Sequence, residues 1–159
     1  MVTKIISGGQ TGADFAGLKA AKILGINNGG RAPKGYKTEI GQNLDLKIIY
    51  GLSEDAADDY SKRTIFNLSV SDTMVIFSSN AKSPSTKLTI KHCELLKKPF
   101  LLIDPKSPNS ANLFLNFIQK QTTTFSRKIT LNVAGNRESK SPDIEEKVIS
   151  ILITALQKT

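Results

Sequence analysis

Residues 4–25 read KIISGGQTGADFAGLKAAKILG. The chain passes here from a short β-type run, Lys4 to Ser7, through a glycine-rich turn into a segment of helical period, Asp14 to Leu24. In that segment Ala16, Ala20, Ile23 and Leu24 form an apolar stripe closed by Gly25. A strand that turns through glycines directly into a helix is the opening half of a βαβ unit. The same alternation continues along the chain. Ile26 to Gly30 has room only for a short strand, and Leu46 to Tyr50 reads as a third. Ser53 is a plausible N-cap for a helix over Glu54 to Ser71, with Glu54 and Asp55 complementing its dipole. Thr73 to Phe77 reads as a buried central strand, Ser85 to Lys97 as a helix and Phe100 to Ile103 as a strand. Asn112 to Gln119 is then helical, Ile129 to Val133 is the last strand, and Ser141-Pro142 caps a final helix reaching Leu156. Right-handed crossovers make this an α/β protein: a Rossmann-like, open, mostly parallel sheet of about six strands with helices on both faces.

Composition suits that reading and narrows the function. The 159 residues are 39% hydrophobic and 23% charged, which fits one domain spanning 1–159. No apolar run approaches the roughly 20 residues of a membrane helix, and Met1 to Gly9 is too short for a secretory leader. A cytoplasmic protein is expected. Cys93 is the one cysteine and His92 the one histidine, which excludes an internal disulfide and a His/Cys zinc cage.

The net charge of +8 is unevenly placed. Residues 73–142 hold 11 Lys/Arg against 3 Asp/Glu, whereas residues 1–72 hold 9 against 8. One contiguous half would thus offer a positive field to an anionic partner. The phenylalanines within it, Phe100, Phe114, Phe117 and Phe125, sit in apolar runs, and aromatics free to stack on bases are not evident. Solvated lysine faces explain the excess better than nucleic acid does.

Open parallel sheets bind ligands beyond the carboxyl ends of their strands. The first loop there, Ser7 to Asp14, lets backbone approach a ligand closely, and the helix behind it offers N–H groups to an anion. It lacks the Gly-Lys-Ser/Thr of a Walker A loop and the GxGxxG spacing of dinucleotide folds. A Thr11-x-x-Asp14 capping pair is the bland alternative. The second loop, Asn28 to Gly35, carries Arg31 and Lys34, and Lys34 would close over an anion. Asp59, Arg63 and Asn67 lie four apart on one helix face, so a guanidinium and an amide would point together; an Asp59/Arg63 surface pair is the alternative. Glu54, Asp55, Asp58 and Asp59 could attract Mg²⁺, although at a helix N-terminus solvated, dipole-compensating acids account for them better. The loop Ser78 to Thr86 is rich in hydroxyls, with an N-capped turn as its plain reading. The loop Asn132 to Pro142 contributes Gly135, Arg137 and Lys140. His92 and Cys93 fall mid-helix, away from these loops.

Four motifs occurring in order carry a family resemblance. They are Ser-Gly-Gly-Gln-Thr-Gly-Ala-Asp at 7–14, Gly29-Gly30-x-x-Pro33-Lys34-Gly35, Arg63-Thr64-x-x-Asn67 followed by Ser71-Asp72, and Asn132-Val133-Ala134-Gly135-x-Arg137-x-Ser139-Lys140. Together they resemble the putative molybdenum carrier family, from about Lys4 to Leu152. That family is similar to the lysine-decarboxylase-like phosphoribohydrolases, and its name rests on similarity to an algal protein that carries the pterin-based molybdenum cofactor. The resemblance implies a carrier that holds a small phosphorylated pterin or nucleotide-like anion; a homo-oligomer is compatible with it, and no metal ligands are assigned. The residues expected to hold the ligand are Gly8, Gly9, Gln10, Thr11, Gly12 and Asp14, Lys34, Arg63 and Asn67, Ser78, Ser79 and Thr86, and Gly135, Arg137 and Lys140.

Two departures bear on chemistry. Relatives show a Gly-Gly-Ser/Thr turn and a glutamate in the following helix, both part of the phosphoribohydrolase active site; this chain has Pro84, Ser85 and Thr86, with Lys91 at the glutamate position. That argues against nucleotide hydrolysis and implies a more basic pocket wall. Phe15 replaces an arginine. An N-glycosidic hydrolase is the alternative reading, with Asp14 as the remaining acid/base, and a polyanion binder is the second.

Overall fold

The computed structural model describes residues 1–56 and 59–159. In chain order its elements are β1 (Val2–Ile6), α1 (Ala13–Leu24), β2 (Asn27–Gly29), β3 (Arg31–Ala32), β4 (Lys37–Thr38), β5 (Gly41–Gln42), α2 (Asp45–Ile48) and β6 (Ser53–Glu54). They continue as α3 (Tyr60–Ser69), β7 (Thr73–Phe77), α4 (Pro84–Leu95), β8 (Phe100–Ile103), α5 (Ser110–Phe125), β9 (Ile129–Gly135) and α6 (Ile144–Leu156). Five strands form the central sheet in the order β2-β1-β9-β7-β8, every pair parallel. The last strand of the chain therefore lies in the middle of the sheet. No described helix is long and apolar enough to cross a membrane.

Period-2 alternation assigns the two faces. Val75 and Phe77 of β7, with Leu131 and Val133 of β9, point into the larger core, where α1, α5 and α6 pack through Ala16, Ala20, Phe114, Ile118, Val148 and Leu152. Met74 and Ile76 point the other way, onto Leu68 of α3 and Cys93 of α4. Buried on both faces, all five residues of β7 are apolar or, at Thr73, hydrogen-bonded through the side chain to the Pro99 carbonyl. The α1 stripe differs at one position: Ile23 is 63% exposed, and Leu18 and Ala21 are buried.

Among the described residues the central sheet has no sixth strand, because Leu46 to Tyr50 is the short helix α2 and its continuation. Only Leu46 of that run is buried, in a satellite core with Leu18, Ala32, Tyr36 and Leu52; Ile48 and Ile49 face solvent. The helix expected from Glu54 begins instead at Tyr60. Ser53 and Glu54 pair in parallel with Arg31 and Ala32, the Glu54 carboxylate accepts from the Gly35 N–H, and Asp59 is the N-cap, accepting from the N–H groups of Ser61 and Lys62. Asp58 lies outside the described residues. Among those described, no group of three or more His, Cys, Asp or Glu side chains could hold a metal ion. The last helix is capped by neither Ser141 nor Pro142: the Glu138 carboxylate accepts from the N–H groups of Asp143 and Glu145.

Candidate functional site

Chain order places a crevice over the carboxyl end of the central strand. From β1 the chain crosses outward through α1 to β2, and from β7 it crosses the opposite way through α4 to β8, so the loops after β1 and β7 part above β9. Asn136, just beyond β9, ties the two sides together. Its carbonyl accepts from the Ala13 N–H at 3.1 Å, its N–H donates to the Phe77 carbonyl at 2.9 Å, and its side-chain oxygen accepts from the Ser79 N–H. Gly12 is required here. It has φ +81°, and a β-carbon on it would lie 2.4 Å from the Asn136 carbonyl oxygen.

A cleft with two lobes opens above this junction. One lobe, about 300 Å³, lies between Lys37–Glu39 and the start of α3, where Asp59, Tyr60 and Arg63 form its wall. The other, about 330 Å³, reaches over Asp14 toward Ser85, Gly135 and Lys140. Gln10, Tyr60 and Arg137 line both.

Asp14 sits at the floor, 8% exposed. Burial pushes its carboxyl up to about 6, against the pull of Arg63, the Gln10 N–H, Arg137 and the Gly135 N–H, all of which favour the ionised form. Arg63 is itself buried. Its guanidinium donates to the Gly8 carbonyl at 2.9 Å and stacks 4.6 Å from the Tyr60 ring centroid. Desolvation and the neighbouring Asp14 charge raise the Tyr60 phenol, which stays protonated at neutral pH. The cleft thus holds a carboxyl with a pKa of about 6, a phenol, the anchored Arg63 and the further cations Lys37, Arg137 and Lys140.

The first loop does not present the open amide cradle expected of it. Gly9 N–H donates to Ser7 Oγ, Gln10 N–H to the Asp14 carboxylate, Thr11 N–H to Gln10 Oε1, Ala13 N–H to Asn136 and Phe15 N–H to the Gln10 carbonyl. These donors are engaged within the protein, one of them by the Asp14 carboxylate. The Thr11/Asp14 capping pair is absent too. The N-cap of α1 is Gly12, and the Thr11 hydroxyl donates to Glu39 while accepting from the Glu138 N–H.

The other candidate residues divide between wall and scaffold. Arg137 and Lys140 face the cleft. Asn67 lines neither lobe, only a cavity of about 20 Å³ beside Gly8, Asp14 and Arg63: its side-chain oxygen accepts from the Arg31 N–H at 2.7 Å and its amide donates to the Arg31 carbonyl at 3.1 Å, docking α3 on β3. Thr86 donates to Ser78 Oγ at 3.0 Å and accepts from Ser83 Oγ at 2.7 Å, while Ser78 closes on the Asn80 backbone. These hydroxyls build the N-capped turn under the second lobe, whose wall takes Pro84 and Ser85. Lys34 is exposed beside the first lobe, and the lysine on its wall is Lys37. Lys91 is exposed on α4 and lines neither lobe, so it does not make the pocket wall more basic.

Sequence reading passed over Tyr60, Lys37 and Glu39. Tyr60 had a signal, since it precedes Arg63 by one helical turn. Glu39 had none. Its carboxylate is held by the Thr11 and Ser139 hydroxyls and by the Ser139 N–H at 3.1 Å, and its own N–H donates to Gln10 Oε1 at 2.9 Å.

The model of the circularly permutated YpsA SLOG family matches residues 5–156. The crystal structure, at 1.45 Å, of a putative molybdenum carrier protein from Syntrophus aciditrophicus SB is similar with a TM-score of 0.86 and 37% identity; the match covers 98% of this chain and 95% of that one. No curated protein matches the sequence significantly.

Proposed function

Because the chain belongs to the circularly permutated YpsA SLOG family, we propose that it is a ligand-binding carrier for a small phosphorylated cofactor or nucleotide-like anion, held in the two-lobed cleft. The observation that carries this reading is Arg137. It lines both lobes, with Lys37 and Arg63 in one and Lys140 in the other, so that four cations line the cleft against the carboxyls of Asp14, Glu39 and Asp59. Net positive potential in a concave site of this size suits an anionic small molecule. The name of the Syntrophus protein brings molybdenum, as cargo, into the range of ligands. The pterin-based molybdenum cofactor combines a ring for Tyr60 with a phosphate for the cations. Native mass spectrometry of freshly purified protein is expected to find a retained phosphorylated pterin or nucleotide, and Arg137→Ala to weaken its rebinding about tenfold to a hundredfold. Protein that retains no such compound, and titrates with none of them, would rule the reading out.

One observation favours a second reading. A buried carboxyl at about 6 beside a phenol and two arginines is what acid catalysis of N-glycosidic cleavage requires of Asp14. Incubation with nucleoside monophosphates decides it: release of free base that disappears in Asp14→Asn makes the protein a hydrolase, and none above a no-protein control leaves it a carrier.

A further inference from the structure

One segment reaches across the cleft mouth and ends on a carboxylate. Lys37–Thr38 and Gly41–Gln42 form an antiparallel hairpin with Glu39 and Ile40 at its turn. Ile40 is 84% exposed, so the tip gains little from packing. Its attachment to the body is polar and converges on Glu39. The carboxylate accepts from the Thr11 hydroxyl, the Ser139 hydroxyl and the Ser139 N–H, and the Glu39 N–H donates to Gln10 Oε1, which also accepts from the Thr11 N–H. Although desolvation opposes it, these bonds and the charge of Arg137 hold the Glu39 carboxyl below its ordinary range.

The donors belong to two loops that do not depend on the hairpin. Thr11 and Ser139 are brought together by the contact of Gly12 with residues 136–138 and by the bond from Ala13 to Asn136. Two hydroxyls, a backbone N–H and a neighbouring guanidinium make a donor set suited to an oxyanion. Glu39 supplies one from within the chain, at the rim of the lobe that Arg137 lines.

We propose that Thr11, Ser139 and Arg137 form an oxyanion subsite at the cleft mouth, which the Glu39 carboxylate fills in the free protein and yields to the phosphate, or an equivalent tetrahedral oxyanion, of an incoming ligand. The exchange leaves no donor unpaired, since one anion replaces another and the released carboxylate passes into water. It also frees the tip of the hairpin, Glu39 and Ile40, to lift from the cleft. An internal competitor lowers apparent affinity by the fraction of protein whose subsite is open, so weakly held anions are refused. This assignment rests on the cleft being a small-anion site and names the part of it that takes the oxyanion.

Inorganic phosphate is the probe, titrated calorimetrically into the full chain and its variants. Glu39→Ala is expected to bind phosphate about tenfold more tightly than the unaltered protein, Glu39→Gln to move the same way, and Glu39→Ala/Ser139→Ala to lose the gain. Amide exchange over residues 38–42 should quicken when phosphate is added to the unaltered protein and be fast from the outset in Glu39→Ala. Equal or weaker binding by both Glu39 variants, or a gain that survives removal of the Ser139 hydroxyl, overturns the subsite. If phosphate then still binds and Arg63→Ala weakens it, the cleft reading stands without the subsite. Absence of binding to every variant overturns both.

Discussion

The Asp14 carboxylate and the Arg63 guanidinium meet over Gly8: a β-carbon at that glycine would lie 3.0 Å from Asp14 Oδ2 and 3.0 Å from Arg63 Nη1. Both contacts are with the ends of side chains. Gly8→Ala should therefore leave the β1–α1 turn intact while prising the guanidinium from the Gly8 carbonyl, at an overpacking cost of about 1–3 kcal/mol. Urea denaturation measures the cost and ligand titration the loss of the Arg63 contact. Arg63→Ala in the same chain should reduce the cost of Gly8→Ala, because one of the two crowding side chains is gone and the contact with Asp14 Oδ2 remains.

Asp14 makes stability depend on pH in a defined direction. Its folded-state pKa of about 6 lies above the ordinary carboxyl value of 3.8, so between these values the folded protein binds more protons than the unfolded chain. Stability from this group is fully present below pH about 4 and is lost as pH rises through 6, by about 3 kcal/mol across the window. The difference in unfolding free energy between the unaltered protein and Asp14→Asn should fall over that interval and be level on either side. A flat difference would mean that Asp14 titrates with its ordinary pKa.

Asn67 illustrates how much of the site is legible in sequence. The spacing Asp59, Arg63, Asn67 reads as one helix face aimed at a ligand, and Arg63 does reach the cleft wall. Asp59 caps the helix, and Asn67 is consumed by the Arg31 backbone while the Arg31 guanidinium stacks 3.5 Å from the Phe66 ring centroid. Asn67→Ala should cost about 2–4 kcal/mol, because it strands one donor and one acceptor of Arg31. Ligand affinity measured well below the melting temperature should change little. A large affinity loss at unchanged stability would return Asn67 to the ligand shell.

The elements read correctly are those in which periodicity and burial coincide. The run ending in Ile5 and Ile6, TMVIF at 73–77, FLLI at 100–103 and the run beginning ITLNV at 129 all lie in the central sheet; TMVIF and FLLI have apolar partners on both faces, and Ile5, Ile129, Leu131 and Val133 pack into the larger core. Leu46 to Tyr50 has the composition of such a strand without partners on two faces, since Leu46 and, in part, Tyr50 reach only the satellite core while Ile48 and Ile49 face solvent. The parallel-sheet rule pointed to the edge where the two-lobed cleft lies, and the loops after β1, β7 and β9 all line it. Glu39 escaped the same reading because its partners lie 28 and 100 residues away and no local pattern marks them.

Topology also redistributes the charge of residues 73–142. Lys97 and Lys98 precede β8, and Arg127 and Lys128 precede β9, so these four cations lie at the amino edge of the parallel sheet; Lys82, Arg137 and Lys140 follow β7 or β9 at the carboxyl edge. Some amino-edge cations are committed to the fold: Arg127 grips Asp72 at 2.6 and 3.0 Å, and Lys98 donates to the Ser71 carbonyl at 2.7 Å. The excess that is contiguous in sequence is therefore divided in space, which denies a polyanion the single track that simultaneous phosphate contacts require. Association with DNA or RNA should be weak, at a Kd of roughly 10⁻⁴ to 10⁻⁶ M near physiological salt, and should fall steeply as salt rises. A phosphorylated small molecule in the cleft releases far fewer counterions, so its affinity should fall with a shallow slope and should respond to Arg137→Ala, whereas the nucleic-acid affinity should not. Fluorescence anisotropy with a labelled oligonucleotide, run beside calorimetry with the small ligand across a salt series, reads both slopes. Submicromolar oligonucleotide binding at physiological salt, unaffected by Arg137→Ala and Arg63→Ala, would place function on the lysine surface and not in the cleft.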